Sequence, residues 1–95
     1  MKPGEAVFQS RRVAARLTTQ ETASLLGFMA SDIPILIREK YLKPLGNPTA
    51  NAMKYFAAIE VLALAEDVSW LSRATRCVYE YHRRRNATEV IVPSP

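Results

Sequence analysis

An all-α fold is predicted: a helix-turn-helix core with a small β-wing, four helices in all, and a long C-terminal helix. Three observations predict it. Thr18-Thr19-Gln20-Glu21 is a capping box, and Gly27 follows a short apolar-periodic stretch as a stop. A second apolar stripe, Ile33, Leu36 and Ile37, starts only a few residues later at helical spacing. Residues 68–85 contain no glycine or proline and carry one apolar face, as a long helix requires.

The first helix is expected over about residues 19–26, with Leu17, Thr22, Ala23 and Leu26 inward. Phe28-Met29-Ala30 makes the turn. Ser31 or Asp32 then offers a cap, and Pro34 falls in the first turn of the second helix, where its missing N–H costs little. That helix is expected to stop near Lys40. With the inner stripe filled by Ile33, Leu36 and Ile37, Ile35 is expected to point outward.

Pro44, Gly46, Asn47, Pro48 and Asn51 mark residues 41–52 as a loop. Leu42 and Lys43 are expected to form one side of a wing and Lys54-Tyr55-Phe56 the other. A third helix over residues 57–66 is expected to turn Ile59, Leu62 and Ala63 inward. Asp67 caps the fourth, whose inner face holds Trp70, Ala74, Cys77, Val78 and Tyr81 and whose end is placed at Asn86. About 18 helical residues span ~27 Å, more than so small a core can cover. The Trp70–Tyr81 face is therefore also a candidate homodimer seam. The brief β-prone Val90-Ile91-Val92 lies in a tail, residues 87–95.

Composition bounds the function. The chain has 95 residues, 48% of them hydrophobic, which suits one globular domain. The domain is placed at residues 17–86, with residues 1–16 as a flexible basic arm. Residues 1–10 hold Glu5 and no apolar core, so no secretory signal is expected. No run approaches the roughly 18 apolar residues that span a membrane. A single cysteine, Cys77, forms no internal disulfide and fits a reducing cytoplasm. The net charge of +4 is uneven. Lys2, Arg11, Arg12 and Arg16 make the first 16 residues basic. Arg73, Arg76 and Arg83-Arg84-Arg85 do the same for the last 23. The middle is mildly acidic. Phosphate contacts must therefore come from the ends or from a few placed cations.

Cys77 and His82 are the only residues that invite catalysis, and at i and i+5 on one helix they point apart. No carboxylate pair, metal-ligand spacing or glycine-rich phosphate loop accompanies them. An enzyme is not expected, nor is a cofactor, a metal or a small-molecule substrate.

Residues 17–67 resemble the MerR/excisionase-type helix-turn-helix. The likeness rests on Leu17-Thr18-Thr19-Gln20-Glu21-Thr22-Ala23, Leu25-Leu26-Gly27-Phe28, Ile33, Leu36-Ile37-Arg38, Leu42-Lys43-Pro44, Lys54-Tyr55-Phe56 and Glu60. The whole chain also resembles a group of short bacterial proteins. The family resemblance implies a winged helix-turn-helix that binds double-stranded DNA, as a small transcriptional regulator or an excisionase-like architectural factor. Its second helix would enter the major groove, with Ser31, Asp32 and Ile35 near bases and with Arg38, Lys40, Lys43, Asn51 and Lys54 on the backbone. Asp32 would accept from a cytosine amine, and Ile35 would touch a thymine methyl. The alternative is a helix-turn-helix repurposed for protein–protein contact through an exposed Ile35.

Overall fold

The computed structural model describes residues 14–91, with side chains as far as residue 86. The arm cations Lys2, Arg11 and Arg12 and the end of the tail lie outside the described residues. The fold is mostly helical, with one small antiparallel sheet. In chain order come β1 (Arg16–Thr18), α1 (Thr19–Leu26), a 3₁₀ turn (Ala30–Asp32), α2 (Ile33–Arg38), β2 (Tyr55–Ala57), α3 (Ala58–Ala65) and α4 (Val68–Ile91).

Helix α1 starts and stops where local chemistry dictates. The Thr18 hydroxyl accepts from the Glu21 N–H at 3.1 Å, and the Glu21 carboxylate accepts from the Thr18 N–H at 2.9 Å. Gly27 takes φ 86°, a left-handed conformation in which a side chain would be strained. Its N–H and that of Phe28 close on the Ala23 carbonyl.

Helix α2 ends in a Schellman motif without glycine. The Tyr41 N–H bonds the Leu36 carbonyl at 2.8 Å, and the Lys40 N–H bonds the Ile37 carbonyl at 3.1 Å. The left-handed residue is Lys40 itself, at φ 71°.

The sheet is not the hairpin expected of the wing. β2 pairs with β1, in the register Arg16↔Ala57, Leu17↔Phe56 and Thr18↔Tyr55. Leu42 and Lys43 form no strand. One bond ties the loop to β2, from the Leu45 N–H to the Tyr55 carbonyl at 2.8 Å. Residues 41–52 carry too many turn formers to hold a ladder. The free edge beside β2 is taken instead by the extended chain entering α1, and the ladder begins at Arg16, inside the stretch expected to be arm.

The core gathers Leu17, Ala23, Ile33, Leu36, Leu42, Phe56, Ala58, Val61, Trp70, Ala74 and Val78. Two expectations are reversed. Ile35 is only 5% exposed, because α4 packs along a second side of α2 and covers it. In α3 the inward residues are Ala58 and Val61, while Ile59 is 78% exposed and Leu62 and Ala63 also face out.

Helix α4 is longer than expected. It runs through Asn86 to Ile91, since no glycine or proline occurs before Pro93 to stop it. Asp67 caps it by accepting from the Trp70 N–H at 3.1 Å. Trp70 is buried and donates from Nε1 to the Tyr41 carbonyl at 3.2 Å. It belongs to the core. Trp70, Ala74 and Val78 are the buried positions on this ~36 Å helix among residues with described side chains. No described helix is long and apolar enough to cross a membrane.

Candidate nucleic-acid interface

Three segments enclose an open groove of about 870 Å³. The start of α1 supplies Thr18, Thr19 and Gln20. Helix α2 supplies Ile33, Pro34, Ile37 and Arg38. The loop supplies Ala50, Asn51, Ala52, Met53 and Lys54. The loop reaches this position because Gly46 and Asn47 both take positive φ, 78° and 48°, and turn the chain back. Lys54 then pins it by donating from Nζ to the Ala50 carbonyl at 2.9 Å and the Ala52 carbonyl at 3.1 Å.

The groove contains two cations and no carboxylate. Two acids stand just outside the lining: Glu21, committed to the α1 cap, and Glu39, beside Arg38. The Arg38 side chain is 59% exposed. Its Cζ sits 5.3 Å from the centre of the Tyr81 ring, and its Nε lies 3.8 Å from Glu39 Oε2. Those contacts lean the guanidinium toward α4, at the C-terminal end of α2. In the ladder, and not among the groove's lining residues, Arg16 places its Cζ 4.0 Å over the Tyr55 ring.

The structure divides the residues predicted to touch DNA into three groups. Arg38, Asn51 and Lys54 share the groove, and Ser31 is exposed in the turn just before α2. Lys40 and Lys43 lie elsewhere, lining a cleft of about 390 Å³ against α3 beside Glu60. Asp32 and Ile35 turn inward. Asp32 is 7% exposed and accepts from the Met29 N–H at 3.0 Å, closing the turn. Its other oxygen, Oδ1, lies 3.4 Å from His82 Nε2. A buried carboxylate already bonded to its own turn cannot reach a cytosine amine, and a covered Ile35 can touch neither a thymine methyl nor a partner protein.

The groove also includes Thr18, Thr19, Gln20, Pro34, Ile37 and Met53, which the sequence did not single out as contacts. The signal for Pro34 and Ile37 was present: both lie on the side of α2 away from Ile35 once that residue is inward. No such signal exists for Met53, because its position follows from how the loop folds back.

Cys77 is half-buried on α4, and burial, helped by the nearby Glu39, pushes its thiol above the ordinary range. It is therefore a poor nucleophile. Among the described residues no group of three or more His, Cys, Asp or Glu is placed to hold a metal ion.

No protein-family model, curated protein or solved structure matches this chain.

Proposed function

We propose that the chain is a winged helix-turn-helix protein that binds double-stranded DNA, as a small regulator or an excisionase-like architectural factor. In this reading α1, the turn and α2 are the helix-turn-helix, and the loop of residues 39–54 is the wing. The observation that carries it is the groove between α2 and the loop. It holds Arg38 and Lys54, has Asn51 on the wall opposite α2, and has no carboxylate among its lining residues. Helix α2 lies in the major groove with Ser31 and Pro34 leading. The loop follows the flanking backbone through Asn51.

A repurposed helix-turn-helix that binds protein is favoured by a different observation. Met53 is 70% exposed beside Pro34 and Ile37, which makes part of the groove apolar. Ile35 plays no part in it.

The two readings separate on salt. Anisotropy of a labelled random-sequence duplex should show micromolar or tighter binding at low salt. Affinity should then fall with a log–log slope of several phosphates as salt rises. No binding at low salt overturns the DNA reading and leaves the apolar one.

A further inference from the structure

We propose that the outward face of α2 and its leading turn distinguishes DNA sequences through the 5-methyl groups of thymine and not through the hydrogen-bonding pattern of base edges. The inference rests on the DNA-binding reading above and specifies what its central surface recognises.

The argument is an inventory of what α2 and its leading turn present outward. Met29, Ala30, Ser31 and Pro34 are exposed, and Ile37 is half-buried in the groove wall. Ile33, Ile35 and Leu36 are buried. The one acid of this stretch, Asp32, is buried and spends its Oδ2 on the Met29 N–H. Reading a base pair by hydrogen bonds in the major groove needs Arg or Lys for guanine, Asn or Gln for adenine, or Asp or Glu for cytosine. Between Met29 and Ile37 none of these types is exposed, and Ser31 alone carries a free-standing polar group outward. Arg38 comes only at the end of α2 and leans toward Tyr81 and Glu39. The amides Gln20 and Asn51 stand on the flanks, on α1 and on the loop.

A surface of methyl, methylene and pyrrolidine groups cannot tell donors from acceptors. It can detect an apolar group that one base pair has and another lacks. In the major groove that group is the thymine methyl. Covering one methyl is worth up to about a fourfold change in affinity.

The test uses labelled alternating duplexes in two matched pairs: d(AT) against d(AU), and d(GC) against d(G-5-methyl-C). Each pair differs only in the methyl at the same groove position, so a difference in A·T versus G·C shape cannot mimic the effect. Affinity should rise with the methyl in both pairs, by up to about fourfold for each methyl covered. The Pro34→Ser variant should bring both ratios toward one while leaving the salt slope unchanged. Serine is well tolerated in a first helical turn, so this variant keeps the fold. Salt-dependent binding to all four duplexes with no methyl preference overturns the inference and leaves DNA binding standing. So do ratios that Pro34→Ser does not move. Binding to none of the four overturns the DNA reading itself.

Discussion

His82 Nε2, late in α4, lies 3.4 Å from Asp32 Oδ1, in the turn that leads into α2. Fifty residues separate the two in sequence, and the contact ties α4, past its buried Val78, to the start of α2. Asp32 also holds the turn from within, through the Met29 N–H. The carboxylate therefore has one local and one distant role, and the two differ in strength. The local bond is partly buried and closes a turn, while the His82 side chain is 47% exposed and its contact is screened by water.

Asp32→Ala should cost about 1–2 kcal/mol, the price of losing a side-chain bond to a turn N–H. His82→Ala should cost much less. A double-mutant cycle by urea unfolding should assign them a coupling of about 0.5 kcal/mol or below. A larger coupling would mean that α4 is held to α2 mainly through this pair and not by Ile35 and its neighbours.

Ile35 and Ile59 make a second comparison, since their environments are the reverse of what periodicity predicts. Ile35→Ala empties a covered site between α2 and α4 and should cost about 2–4 kcal/mol. Ile59→Ala changes an exposed helix position and should stay within about 0.5 kcal/mol. Urea midpoints of the two variants measure both. Equal losses would contradict the packing described here.

That reversal shows which parts of the fold could be read from the sequence. Helix α1 was legible to the residue, because the Thr18–Glu21 box and Gly27 are local devices whose meaning does not depend on what packs nearby. The inward face of α3 was not. From Ala57 to Ala65 only Glu60 is polar, so no polar stripe fixes the phase. The phase is set by β2, which delivers the chain so that the Ala58 N–H bonds the Ala15 carbonyl at 2.9 Å. Ile35 failed for a related reason. A six-residue helix with four apolar side chains buries as many sides as it has neighbours, and the neighbour here is α4, far along the chain. The groove was half legible: Arg38, Asn51 and Lys54 follow from the order of elements, whereas separating Lys40 and Lys43 from them required the course of the loop.

Thr22 is fully buried in α1, and its hydroxyl is the one buried side-chain polar atom without a hydrogen-bond partner among the described residues. Leaving such a group dry costs free energy that a methyl would not. Thr22→Val keeps the branched shape and should stabilise the domain by about 1 kcal/mol. A rise in urea midpoint with an unchanged m-value is the expected result. A fall would show that the hydroxyl is bonded in solution.

Lys40 occupies the left-handed position that closes α2, where glycine is the usual residue. Its Cβ strain is worth about 1–2 kcal/mol, partly offset by the extra freedom glycine gives the unfolded chain. Lys40→Gly should therefore raise stability by about 0.5–1 kcal/mol in thermal or urea unfolding. Lys40→Ala keeps the strain and should gain nothing, which separates the backbone effect from loss of the lysine charge.

Arg38 and Lys43 carry the same charge on different surfaces, and this difference tests where DNA lies. Arg38 lines the groove between α2 and the loop, whereas Lys43 lines the cleft against α3, beside Glu60. If α2 enters the major groove, Arg38→Ala removes a phosphate contact. Affinity should fall on every duplex, and the log–log salt slope should shrink by about one. Lys43→Ala removes an equal charge from the molecule, so it controls for long-range attraction, and the slope should stay as it was. The comparison is best made near physiological salt, where the Debye length is about 8 Å and distant charges are screened. Equal losses from both variants would mean that binding follows net charge, with no preferred face. A loss confined to Lys43→Ala would move the interface to α3.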